Sequence, residues 1–170
     1  MSVPARPTER GRYTEFDALA RGEAGRLYRV ALAILGDPGE AEDVLQETMV
    51  AGWRRWSALQ HYEDQSRWLT RVCVRCSLRH RRLRARMTLW PPERWPSLPS
   101  GAPAGLDERL VDFHRALGTL SPAQRAMIVL HFRNGLTIDE CASYLGCRPG
   151  TARSHLGRAV GKLRKEIPNA

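Results

Sequence analysis

The sequence predicts an all-α protein built from two small helical domains joined by a flexible linker. Three observations carry that expectation. Apolar residues recur with helical spacing over 13–86 and again over 106–167, prolines 91, 92, 96, 99 and 103 interrupt the stretch between, and strand alternation and internal repeats are lacking. The 170 residues suffice for two small domains, and 42% hydrophobic content is enough for a packed core. Apolar runs stay well short of the ~20 residues a bilayer span requires, so no membrane insertion is expected. Residues 1–12 carry prolines and charges without an apolar stretch; they read as a disordered tail rather than a secretory signal. The four cysteines therefore belong to a reducing, cytoplasmic setting as free thiols. A net charge of +9 favours a polyanionic partner.

In the first domain (13–86), Thr14 is placed to cap a helix with Phe16, Leu19, Leu27, Ala31, Ile34 and Leu35 on its apolar side, ended by Gly36. Asp37-Pro38-Gly39-Glu40 then supplies an N-cap, a proline for the first helical position and an acidic residue at the third. The helix it starts runs to about Trp56, with Ala41, Val44, Leu45 and Thr48 facing inward. Asp43, Gln46 and Glu47 fall on the other side as an acidic and polar patch. Residues 57–65 read as a loop.

A third helix, about 66–86, has an unusual charge pattern. Acidic residues are missing between Asp64 and Glu93, while arginine stands at 67, 71, 75, 79, 81, 82, 84 and 86. At ~100° per residue, Arg67, Arg71, Arg75, Arg79, Arg82 and Arg86 share one broad face. Leu69, Val72, Cys73, Cys76 and Leu83 lie roughly opposite. One side is expected to pack and the other to present guanidinium groups, which suit phosphates. A solvated basic face is the plain alternative, but a single sign of charge over so long a stretch exceeds what solubility needs.

The linker spans 87–105 and is nearly neutral, and the second domain occupies 106–167. Ser121-Pro122-Ala123-Gln124 is a capping box whose helix places Ile128, Val129 and Phe132 inward and stops near Gly135. Thr137 and Glu140 form a second box, and Gly146 suits a left-handed stop after inward Ile138, Cys141, Ala142 and Leu145. The next helix opens at once on Arg148-Pro149-Gly150, with Ala152, Leu156, Ala159 and Leu163 as its apolar stripe. Two capped helices across a short turn make a helix-turn-helix. Arg148, Thr151, Arg153, Ser154, His155 and Arg158 remain on the other faces of the second helix, free to meet DNA. Arginine can reach guanine in the major groove, while hydroxyls more often meet phosphate.

The order of these motifs resembles the bacterial extracytoplasmic-function (ECF) sigma factors, which pair sigma region 2 with region 4. The resemblance rests on Leu27-Tyr28-Arg29-Val30-Ala31-Leu32-Ala33-Ile34-Leu35-Gly36-Asp37, Ala41-Glu42-Asp43-Val44-Leu45-Gln46-Glu47-Thr48, Trp53 and Trp68-Leu69. In the second half it rests on 117–120, Gly135-Leu136-Thr137, Leu145-Gly146-Cys147 and Gly150-Thr151-Ala152-Arg153-Ser154-His155-Leu156. It implies a sigma factor that binds core RNA polymerase and directs initiation at promoter DNA. Asp43, Gln46 and Glu47 would dock on core polymerase. Tyr62 with Arg67, Arg71, Arg75, Arg79 and Arg82 would engage the opened minus-10 element, where bases stack on aromatics and arginines track the strand. Arg148, Thr151, Arg153, Ser154, His155 and Arg158 would read the minus-35 element as duplex. An anti-sigma factor is the further partner the family implies. The chain departs from the family at Arg75 and Arg79, where asparagine and aspartate are common, and at Tyr62-Glu63-Asp64-Gln65-Ser66, which replaces a phenylalanine-rich loop.

Other classes fit less well. An enzyme would need a phosphate-binding glycine loop or a nucleophile with its base, and neither is evident. Glu42, Asp43 and Glu47 have no histidine at helical spacing to complete a metal site. Cys73 and Cys76 fall on the packed side of one helix with no second pair nearby in sequence, so small core residues are the better reading than zinc ligands. The expectation is a protein without metal or cofactor that is not an enzyme. A two-domain helix-turn-helix regulator that does not join polymerase is the closer rival.

Overall fold

The first helix starts ahead of its expected cap. In the computed structural model, which describes residues 9–87 and 115–167, α1 spans Glu9–Leu35. Its added turn carries Tyr13, whose ring meets Trp53 edge-on with centroids 6.0 Å apart. Thr14 is therefore interior to α1 rather than its cap. The expected tail up to residue 8, the linker beyond residue 87 and the second domain up to residue 114 lie outside the described residues.

Asp37 behaves as its sequence context requires. Its Oδ1 accepts the Glu40 N–H at 2.9 Å, and Pro38 opens α2, Pro38–Arg54. The expected loop after α2 contains a helical turn, α3 (Trp56–Leu59), pinned by the burial of Trp56 and Leu59. α4, Gln65–Met87, begins where Asp64 Oδ1 accepts the Arg67 N–H at 2.7 Å. These helices pack α1, α2 and α4 mutually together. Leu27, Ala31, Ile34, Ala41, Val44, Leu69, Cys73 and Val74 are fully buried between them. Each large aliphatic side chain there contributes about 1.5–3 kcal/mol through burial. Gly52 is the point of closest approach: a Cβ there would stand 3.1 Å from both Leu69 Cδ2 and Phe16 Cε2.

Arg26 ties α1 to α4 in a way the sequence pattern did not disclose. Its guanidinium donates to Glu23 on its own helix and to Ser66 Oγ and Thr70 Oγ1 on α4, both at 2.8 Å. Leu83, expected on the packed side of α4, is instead exposed, because it lies in the helix's C-terminal part, beyond the buried positions that end at Leu78.

In the second half, residues 115–118 are helical, and α5 (Pro122–Ile128) starts on the complete Ser121–Gln124 capping box. α5 passes into a π-helical turn over Val129–Arg133, closed by Asn134 N–H donating to Val129 O at 3.2 Å. The wider turn changes the register of the following side chains. Ile128 and Val129 stay inward as expected, but Phe132 points out and is 63% exposed. α6 (Ile138–Leu145) and α7 (Pro149–Glu166) form the helix-turn-helix. Thr137 and Glu140 complete their box, and Gly146 takes the left-handed φ of 66° that favours glycine.

The two halves are in contact. α1 meets α5, and α4 meets α6. Met127, Leu130, Cys141, Ala142, Tyr144 and Ala152 join the buried residues of α1, α2 and α4 in one apolar cluster. Tyr144 was missing from the core expected of α6 yet is only 1% exposed. It fills the seam between halves, a place that α6 periodicity alone does not define.

Candidate nucleic-acid interface

α7 presents the set expected of a DNA-reading helix. Ala152 and Ala159 are buried and Leu156 and Leu163 half-buried, which turns Arg148, Thr151, Arg153, Ser154 and Arg158 to solvent. His155 is half-buried beside the stripe. Ser154 Oγ donates back to Gly150 O at 3.0 Å, so its hydroxyl is oriented along the helix. The N-cap of α7 is Arg148, whose side chain has no acceptor to offer, so the first turn carries no side-chain cap. The helix dipole and the adjacent arginine make that end electropositive.

The arginine row of α4 is present on one side of the helix, but the expected open row is only partly open. Arg67, Arg75, Arg79 and Arg82 are exposed and Arg71 is half-buried. Arg67 pairs with Glu140 of α6, Arg71 lies over the Tyr144 ring with Cζ 5.2 Å from its centroid, and Arg75 Nη2 donates to Ser143 O at 3.4 Å. Helical periodicity within α4 does not encode these contacts, since their partners lie 73 and 68 positions away in the chain for Arg67 and Arg75. Tyr62, at the end of the loop before α4, is exposed.

On α2, Asp43 and Gln46 are exposed as expected. Glu47 is half-buried and engaged by Arg79 and by His80, whose Nε2 lies 3.2 Å from its carboxylate. Partial burial pushes the Glu47 carboxyl upward, but the hydrogen bond and charge of Arg79, then those of His80, outweigh it and hold the group below the ordinary carboxylate range. Residues assigned from sequence to two separate surfaces, Glu47 and Arg79, thus meet each other. Glu140 is also held low, first by the backbone N–H and hydroxyl of Thr137 and then by Arg67.

Burial pushes the Cys73 thiol up to about 12 and Cys141 up to about 11, and Cys73 and Cys76 sit in the core. Among the described residues, histidine, cysteine and acidic side chains form no group of three that could hold a metal ion. Among the same residues, no helix is long and apolar enough to cross a membrane.

Comparison with known proteins agrees with this geometry. Residues 19–87 match the family model described as Sigma-70 region 2, and residues 110–163 match Sigma-70, region 4. The chain is 34% identical over 155 residues to the ECF RNA polymerase sigma factor SigL of Mycobacterium tuberculosis, covering 86% of this chain and 85% of that protein. It is also 34% identical over 157 residues to the ECF RNA polymerase sigma factor SigE of Mycolicibacterium smegmatis, covering 88% of this chain and 60% of that longer relative. The fold matches the sigma factor RpoE from Bartonella quintana, solved with the anti-sigma factor NepR, at a TM-score of 0.68 and 23% identity over 91% of this chain and 98% of that one. The chain belongs to the ECF sigma factors of the sigma-70 family.

Proposed function

We propose that this sigma factor joins core RNA polymerase and directs transcription initiation through three surfaces. Asp43 and Gln46, with Glu47 beside them, form the polymerase-docking patch on α2. The arginine row of α4, with Tyr62 as a stacking aromatic, holds the opened minus-10 strand through charge and ring stacking. Arg148, Thr151, Arg153, Ser154, His155 and Arg158 on α7 read the minus-35 duplex in the major groove. The protein works in the cytoplasm by binding rather than by catalysis, needs no metal or cofactor, and is held in check by an anti-sigma protein. That last partner is supported by the named complex of its structural relative.

The observation that carries the reading is the pairing of two cationic helices, α4 and α7, within one chain that also has an acidic patch on α2. A duplex-binding regulator accounts for α7 alone and leaves the other two surfaces idle. Reconstitution tests this directly. The chain plus core polymerase is expected to start transcripts at a mapped promoter, and Asp43→Arg to abolish capture by core while leaving duplex binding intact. Duplex binding without any holoenzyme formation would establish the regulator instead.

A further inference from the structure

We infer that Glu47 of α2 is a positioning residue for strand binding: it fixes the guanidinium of Arg79 on α4 by one corner and leaves the rest of that group to the DNA strand. The inference rests on the reading of α4 as a nucleic-acid face. Glu47 Oε1 accepts from Arg79 Nη2, and its Oε2 stands 3.2 Å from His80 Nε2. Two consecutive residues of α4 thus meet the two oxygens of one carboxylate. Cys76 Sγ, one turn back on α4, accepts from the same Arg79 Nη2 at 3.8 Å. A guanidinium offers five N–H donors in one rigid plane. Among the described residues, the hydrogen bonds of Arg79 all run through Nη2, which leaves the Nε and Nη1 hydrogens uncommitted. The Arg79 side chain is 54% exposed, so a strand can reach it.

An arginine side chain gives up rotamer freedom when it grips a phosphate, and one that is already held gives up less. The holding group must itself be fixed. α2 and α4 pack directly against each other, with Val44, Thr48, Leu69 and Cys73 buried, so carboxylate and guanidinium stand on two rigid elements. The arrangement has a cost, because a carboxylate beside a polyanion repels it. The two effects have opposite signs. As a bystander charge, Glu47 would weaken strand binding; as a positioning residue it strengthens binding through Arg79. The direction of the change on removing Glu47 therefore tells which role it has.

The test uses full-length protein with a mixed-sequence oligonucleotide of about 20 nucleotides, either single-stranded or duplex, under low salt. Glu47→Met keeps the length of the side chain and removes both acceptor oxygens. It is expected to weaken single-strand binding about two- to fourfold, although it takes away a negative charge. Arg79→Ala should weaken it about fivefold. In the Arg79→Ala background, Glu47→Met should leave single-strand affinity unchanged or raise it up to about twofold, since only the repulsion is then removed. Duplex binding should change less than about twofold on Glu47→Met. Unchanged or tighter single-strand binding by Glu47→Met alone would overturn the inference. An equal loss on duplex would overturn it too, as the mark of a weakened fold. An equal loss in the Arg79→Ala background would also do so, since Glu47 would then act by another route. Arg82→Ala separates the two claims. If it weakens single-strand binding and Arg79→Ala does not, only the role of Glu47 fails. If neither has an effect, the row is not a nucleic-acid face and the underlying reading fails with it.

Discussion

Replacing Arg26 should destabilise the first domain more than its half-exposed position suggests. Its Nη2 shares two hydrogens among Glu23 Oε2 at 2.6 Å, Ser66 Oγ at 2.8 Å, Thr70 Oγ1 at 2.8 Å and Ser66 O at 3.2 Å, while Nε donates to Glu23 at 2.8 Å. The Arg26 and Glu23 side chains are 33% and 19% exposed, so water replaces these bonds only in part. Arg26→Met keeps the stem, removes every bond and strands the Glu23 carboxylate. A bond to a charged group nets about 1.5–3 kcal/mol, and breaking a fully buried pair costs about 3–5 kcal/mol. With the observed exposure, about 2–3 kcal/mol is expected for Arg26→Met. Glu23→Gln alone should cost about 1 kcal/mol, and the double variant about 1 kcal/mol less than the sum, because it leaves no unpaired charge. Urea unfolding followed by circular dichroism measures all three. A loss under about 0.5 kcal/mol for Arg26→Met, or strict additivity in the double variant, would refute the idea that Arg26 fastens α4 to α1.

Arg153→Ala should weaken binding to a minus-35 duplex by about 1–3 kcal/mol and relax preference at one base pair, as measured by competition with sequence variants; an equal loss on all sequences would make it a phosphate contact. Thr137→Ala removes the hydroxyl that accepts the Glu140 N–H at 3.3 Å and should cost about 1 kcal/mol of stability in thermal unfolding. Glu47 has a folded-state pKa below its unfolded value, so its contribution is present above the ordinary carboxylate range and lost as pH falls through the depressed value. The stability gap between wild type and Glu47→Gln should therefore close between neutral pH and acid, read from urea midpoints. Under native conditions at mildly alkaline pH, alkylation monitored by mass spectrometry should reach half-buried Cys147 before Cys73, whose buried thiol is pushed up to about 12.

Short-range chemistry made much of this protein legible in advance. Asp37, Ser121 and Thr137 cap the helices they were expected to cap, because an N-cap bond spans three residues and depends on little else. The stripe of α7 likewise faces inward, since one helix sets its own periodicity. Phe132 escaped because a π-helical turn shifts register, and ordinary helical spacing does not anticipate it. The family was legible as well, carried by an ordered series of motifs spread over both halves.

Local sequence was enough for the long helices and for the caps at Asp37, Ser121 and Thr137, though not for the start of α1, the turn α3 or the π-helical turn. Tertiary structure alone decided what the exposed faces of those helices meet. Arg67, Arg71 and Arg75 are in the row that periodicity describes, yet their partners are Glu140, Tyr144 and Ser143 on a helix from the other half. Glu47 and Arg79, assigned from sequence to different surfaces, form one ion pair. Helical periodicity is a property of a few neighbouring residues, whereas these pairings depend on how whole helices pack, and on the shared apolar cluster that brings α6 against α4.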